Sequence, residues 1–144
     1  MITKIENSVI ESYCKRGLIY MQKHPELDLR ILNYSASCAW GRAWDAVTIS
    51  CRGLVVDGEG VVVARCLEKF FNYSELLNVN YQIPNLPFQV LEKMDGSLIQ
   101  LFWYENRWVV SSRGSFTSHH AGWAWEILQE KYSKSLEYLD ISNT

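Results

Sequence analysis

The sequence lacks the features that would announce several classes of protein. None of its four cysteines, Cys14, Cys38, Cys51 and Cys66, belongs to a Cys-x-x-Cys pair. His24, His119 and His120 complete no zinc spacing with them, so no metal-ligand set is visible. Thiols spaced this widely read as reduced and buried, which places the chain in the cytoplasm. No apolar run approaches the roughly 20 residues that cross a bilayer. The N-terminus, Met-Ile-Thr-Lys-Ile-Glu-Asn, carries no signal-peptide core, so no membrane partner is expected. Neither sign of charge dominates, the formal net charge being −2. A nucleic-acid partner would need a local basic patch, and non-specific coating of nucleic acid as the only role is disfavoured. There is no internal repeat, low-complexity tract or linker, and 144 residues suit one domain, residues 1–144, with a real core.

What is present is ordinary in bulk, with 48% hydrophobic and 21% charged residues, but rich in aromatics at 13%, including six tryptophans. Most of these rings belong in a core, and some suit stacking on a base. Ile10, Cys14, Leu18 and Met21 recur at near-helical spacing, with Gly17 weakening the helix and His24-Pro25 ending the segment. Residues 29–34 alternate as a strand, 35–45 read as a loop carrying Trp40 and Trp44, and 46–50 read as another strand. Residues 51–57 and 61–65, joined by Asp57-Gly-Glu-Gly60, form a β-hairpin. Residues 80–87, with Pro84 and Pro87, connect onward. Residues 98–104 and 108–112 pair across Glu105-Asn106-Arg107. A helix capped by Ser118 follows over 119–132, and a polar tail over 133–144.

Residues 91–99, Leu-Glu-Lys-Met-Asp-Gly-Ser-Leu-Ile, hold the chemistry. The apolar run 88–91 leads to Lys93, Asp95-Gly96 marks a turn, and a second apolar run leaves it. Strand, turn, strand is the expected pattern, with Lys93 at the end of the first strand. A lysine so placed either holds a phosphate or attacks one, and attack requires the neutral amine. Lys-x-Asp-Gly-Ser is also the nucleophile spelling of covalent nucleotidyltransferases, and the five residues alone fit a plain hairpin with a surface lysine equally well. Arg52, entering a nearly all-apolar strand, needs either a carboxylate or an anion. Lys69, followed by Phe70, Phe71 and Tyr73, is either an exposed lysine on core aromatics or a phosphate ligand bedded among rings. Arg113 lies in Ser-Ser-Arg-Gly-Ser-Phe after a strand, which suits an anion-holding turn.

Taken in order, the stretches 30–34 (Arg-Ile-Leu-Asn-Tyr), 51–57 (Cys-Arg-Gly-Leu-Val-Val-Asp), 69–73 (Lys-Phe-Phe-Asn-Tyr), 92–97 (Glu-Lys-Met-Asp-Gly-Ser) and 112–116 (Ser-Arg-Gly-Ser-Phe) resemble the T4-type RNA ligases, which seal RNA ends using ATP. The resemblance spans roughly residues 29–125. It implies an α+β fold with antiparallel β-sheets and flanking helices around a nucleotide cleft, as in nucleotidyltransferase catalytic domains. It implies that Lys93 attacks the α-phosphorus of ATP to give lysyl-AMP, with Mg2+ assisting. Arg52 and Lys69 would bind the nucleotide and its phosphates, Tyr34 would lie near the ATP site, and Phe71 would support the pocket. Glu92 would pass the adenine, Asp95 and Gly96 would shape the turn presenting the lysine, and Arg113 would stand on the nucleotide or RNA side. The family's downstream glutamates and paired lysines have no recognisable copies here. The resemblance therefore implies the N-terminal portion of an adenylyltransferase domain, completed by a downstream segment or partner chain, with RNA ends as substrate. A non-catalytic nucleotide- or RNA-end-binding protein, and a DNA ligase or capping-type nucleotidyltransferase, are the alternatives.

Overall fold

The computed structural model describes residues 1–77 and 85–139. The chain is α+β, with antiparallel sheets and flanking helices. Helix α1 (Asn7–Lys15) packs Ile10, Val9, Tyr13 and Cys14 inward. It ends at Gly17, whose φ of 71° lets its N–H donate to Cys14 O while Leu18 N–H donates to Tyr13 O. This is a Schellman stop, and only glycine enters that left-handed backbone without strain. The helical spacing read through Leu18 and Met21 is therefore cut short, and Met21 lies in strand β1 (Ile19–Lys23). His24 closes the following turn, its Nδ1 accepting from the N–H groups of Glu26 and Leu27.

Strands β2 (Leu29–Tyr34), β3 (Arg52–Asp57) and β4 (Val62–Ala64) complete a four-stranded sheet in the order β1-β2-β3-β4. Its two faces alternate as the pleat requires. Leu32, Leu54 and Val56 meet Ile5, Ile10 and Ile19 on the α1 side. Leu29, Ile31 and Val55 meet Phe102, Val109 and Phe116 on the other. The second group comes from a two-stranded sheet of β5 (Ile99–Tyr104) and β6 (Arg107–Ser112), turned by Glu105 and Asn106, both at positive φ. After a short helix α4 (Tyr73–Leu77) in the segment between the sheets, helix α5 (His119–Leu136) packs on β6, its first turn capped by Ser118 Oγ accepting from Ala121 N–H. None of the described helices is long and apolar enough to cross a membrane.

The connection between β2 and β3 departs from expectation. Residues 35–45 contain helix α2 (Ala36–Trp40), capped by Ser35 Oγ. Ala46–Ser50, read as a strand, is helix α3. Its β-branched residues are overruled by a capping box: Asp45 Oδ1 accepts from Thr48 N–H at 2.8 Å, and Thr48 Oγ1 accepts from Asp45 N–H at 2.8 Å. Tyr13 Oη also donates to Asp45 Oδ2 at 2.8 Å.

The strand expected before Lys93 is also absent. Residues 85–98 carry no regular element, and Phe88, Val90 and Leu91 are exposed. The compact Glu105-Asn106 turn gives β5 its partner in β6 at little closure cost, and the run 88–91 joins no ladder among the described residues. The connection read over 80–87 falls partly, and the end of the tail from 140 onward wholly, outside the described residues.

Two expected outcomes test this framework. Gly53 sits at φ 72°, and a Cβ there would lie 2.9 Å from Cys66 Sγ and 3.0 Å from Arg113 O. Gly53→Ala should cost about 1–3 kcal/mol in urea unfolding from the backbone alone; an unchanged midpoint would mean the strand can be straightened there freely. Burial pushes the Asp45 carboxyl up, but the hydrogen bonds from Thr48 and Tyr13 outweigh it and leave the group below its usual range. A depressed carboxyl stabilises above its unfolded value and loses that contribution as pH falls through the folded one. Asp45→Ala should cost about 1 kcal/mol at neutral pH, and the gap from wild type should shrink below about pH 4.

Candidate functional site

The site is built where β2 ends and β3 begins. Leu32 pairs with Leu54 but Asn33 pairs with Arg52, so Gly53 is an extra residue in β3, a bulge. Asn33 fills the irregularity. Its Oδ1 accepts from Gly53 N–H at 2.9 Å and its Nδ2 donates to Arg113 O at 3.1 Å, while Gln100 Nε2 donates to Gly53 O at 2.8 Å. Two buried amides thus tie β2, β3, β5 and the turn after β6 to one point.

Around that point the structure gathers most of the residues singled out in the sequence. The segment after β4 runs past the end of α3, Lys69 N–H donating to Ile49 O at 2.9 Å. Arg52 Nη1 donates to Leu67 O at 3.0 Å, and its guanidinium lies 5.1 Å from the Phe70 ring centre. Tyr34 meets Trp44 edge to face at 5.0 Å, and Trp44 meets Phe71 at 5.5 Å. Lys69 Nζ lies 4.2 Å from the Phe71 ring centre, and it also donates to Phe70 O. Arg113 passes over Gly53. Burial pushes the neighbouring Cys66 thiol up, and the charges of Arg52 and Arg113 act against that rise.

These cations are in no ion pair, which they share with most of the described basic residues; their grouping around one strand irregularity is what sets them apart. Lys4, Arg65 and Arg107 pair with Glu6, Glu68 and Glu26. Among the described residues, Arg52, Lys69 and Arg113 have no carboxylate partner; the first two instead hold rings and carbonyl oxygens. Grouped cations without ion-pair partners create a local positive potential, the electrostatics that suit an anion. A cavity of about 540 Å³ opens beside it between β4 and β5, lined in part by Cys66, Leu98 and Gln100. A smaller one of about 230 Å³, between β6 and α5, contains none of these residues.

The structure does not bring the lysine motif to this cluster. Glu92, Lys93, Asp95 and Gly96 are exposed, and Lys93 makes no hydrogen bond, ion pair or ring contact with any described residue. Asp95 Oδ1 accepts from Gly96 N–H at 3.0 Å, a local turn only. Conversely, Asn33, Trp44, Gly53, Cys66 and Gln100 shape the site without having been assigned to it from the sequence. An asparagine inside the strand 29–34 is the one signal that pointed there, since asparagine is depleted from strands.

A family model described as RNA ligase matches residues 50–143, well over half of the chain. The chain belongs to the RNA ligase family. A protein of Autographa californica nuclear polyhedrosis virus, named as a bifunctional polynucleotide kinase/RNA ligase, is 32% identical over 121 residues. That alignment covers 77% of this chain and 17% of the viral protein, so the chain spans a small part of the relative's length. The match to the ligase family includes Arg52, Lys69, Phe71, the Lys93 motif and Arg113.

If the unpaired cations form an anion site, inorganic tripolyphosphate should bind, and more weakly as salt rises. A charge-assisted contact is worth about 1.5–3 kcal/mol, so Arg52→Ala or Lys69→Ala should each cost about tenfold or more in calorimetric affinity. A variant that instead mainly lowers the melting temperature would mark its residue as structural.

Proposed function

We propose that this chain performs the nucleotide-loading step of an ATP-dependent RNA ligase. The observation that carries the proposal is the set Arg52, Lys69 and Arg113, unpaired with any described carboxylate and grouped around Gly53 and Cys66. Membership of the RNA ligase family supplies the chemistry such a set would serve. Arg52 and Lys69 hold the phosphates of ATP, with Tyr34 and Phe71 walling the nucleotide and Arg113 on the phosphate or RNA side. Lys93 supplies the nucleophile: its neutral amine attacks the α-phosphorus, an N–P bond forms, the bond to pyrophosphate breaks, and the amine proton is lost. The cations stabilise charge developing on the leaving pyrophosphate. Glu92 passes the adenine, and Asp95 and Gly96 turn the chain that presents Lys93. The AMP is then available for an RNA end.

The described residues include no group of three or more His, Cys, Asp or Glu side chains able to cage a metal. Magnesium, when it arrives on the triphosphate, supplies further neutralisation of the phosphates. The chain's own part is to bind, orient and attack.

Incubation with α-labelled ATP and magnesium, followed by a denaturing gel, tests the proposal. Wild type should retain label in an acid-labile phosphoramidate, and Lys93→Ala and Lys93→Arg should not. Arginine keeps the charge but cannot offer a neutral amine. Label persisting in Lys93→Arg would place the nucleophile elsewhere, and calorimetry favouring GTP over ATP would move the chain toward capping-type chemistry. The exposed, contact-free Lys93 favours a second reading, a nucleotide-binding module without the covalent step. ATP binding with no adduct from wild type is the outcome that selects it.

A further inference from the structure

We infer that Trp44 is a positioning residue, which acts on the nucleotide's phosphates through Lys69. The inference rests on the nucleotide reading above and names a residue that reading does not use. Trp44 reaches the site from a part of the chain remote in sequence from both Lys69 and Lys93, and it touches three proposed ligand-binding side chains at once. Its ring meets Tyr34 at 5.0 Å and 83° and Phe71 at 5.5 Å and 81°. Lys69 Nζ lies 5.6 Å from its ring centre, completing a two-ring seat with Phe71 at 4.2 Å.

The seat matters because of what Lys69 otherwise lacks. With no carboxylate partner among the described residues, its ammonium has a four-carbon stem and one backbone oxygen to fix it. Aromatic faces attract a cation without neutralising it, so the charge stays available to an incoming anion. A carboxylate in the same place would hold the lysine and compete with the phosphate.

The backbone under Trp44 is anchored from both sides. Trp44 N–H donates to Arg42 O at 2.8 Å, and Ala43 N–H donates to Cys38 O at 3.0 Å. Thr48 Oγ1 donates to Ala43 O at 3.0 Å, and Asp45 is the capping residue of α3. The indole is therefore presented by a braced turn, with its neighbours on both sides tied down.

The test measures ATP and adenosine affinity side by side. Trp44→Leu should weaken ATP binding about three- to thirtyfold, the range a lost cation–π contact spans. Adenosine, which carries no phosphate for Lys69, should lose clearly less than ATP does. In a Lys69→Ala background the same substitution should cost ATP no more than it costs adenosine. Trp44→Phe should recover part of the loss. If Trp44→Leu fails to fold, a fluorinated tryptophan placed at position 44 keeps the shape and drains the ring face. ATP affinity should then fall with the degree of fluorination while adenosine affinity holds. Equal losses for ATP and adenosine, or a full effect without Lys69, would mean that Trp44 stacks on the base or only supports the fold, and would overturn the inference. Unchanged ATP affinity in a folded Trp44→Leu protein would overturn it too. A wild-type protein that binds neither ATP nor tripolyphosphate would remove the nucleotide reading itself, a result distinct from each of these.

Discussion

The candidate site hangs from the side-chain amide of Asn33, 2% exposed, which bridges Gly53 N–H and the carbonyl of Arg113. A buried amide left without partners would cost about 1–3 kcal/mol per group, so both bonds are constraints and not decoration. The bulge they stabilise changes the phase of β3. Paired residues in an antiparallel ladder project to the same face. In an unbulged ladder Gly53 would pair with Asn33, and Arg52 would share the face of Leu54 and Val56 and point at the apolar packing of α1. With the bulge, Arg52 stands opposite Asn33 on the other face. Accommodating Gly53 as a bulge thus moves a guanidinium from a place where it would be costly to one where Leu67 O and the Phe70 ring receive it.

The second constraint is electrostatic. A chain of net charge −2 gathers Arg52, Lys69 and Arg113 in one region, none of them in an ion pair among the described residues. Their mutual repulsion is screened only over about 8 Å at physiological salt. What offsets it here is soft: the faces of Phe70, Phe71 and Trp44 and the carbonyls of Leu67 and Phe70. Such partners stabilise a cation without neutralising it, so the charge stays available to an anion. The same logic explains why aromatic residues concentrate beside the basic ones in residues 69–73. By composition alone those rings read as core.

Much of this was legible from the sequence where local signals agree. The strand at Leu29–Tyr34, the β3–β4 hairpin, the β5–β6 pair and the Ser118-capped helix each combine periodicity with a turn or cap, and each is found. The Tyr34, Arg52, Lys69, Phe71 and Arg113 group was nameable through resemblance, although nothing local said that they meet. The failures have physical causes. At Ala46–Ser50 a run of Val, Thr and Ile carries strand propensity, and a capping box with buried Thr48 and Ser50 outweighs it. Gly17 was read as a weak spot inside a helix and is its terminus. Trp44 gave no sign in sequence, because its surroundings are contributed from residues 34, 69 and 71. Hydrophobic periodicity reports which face is buried, not which distant ring it meets.

The contrast between the two halves of the proposed site has a consequence for the order of events. The phosphate-holding half is preformed, since Asn33, Gln100 and the ring stack fix it through buried hydrogen bonds and packing. The half carrying Lys93 is held by no ladder among the described residues, and Phe88, Val90 and Leu91, at 85%, 86% and 79% exposure, add nothing to the core. Burying a large apolar side chain is worth about 1.5–3 kcal/mol, so this segment has binding energy in reserve for whatever surface covers it. Approach of Lys93 to the cations would favour its neutral form, the form that attacks. Before it loses its proton, the Lys93 ammonium is repelled by Arg52, Lys69 and Arg113, and a bound triphosphate would offset that repulsion. Under the proposed reading, anion binding therefore comes first: the nucleotide is what makes room, electrostatically, for its own nucleophile.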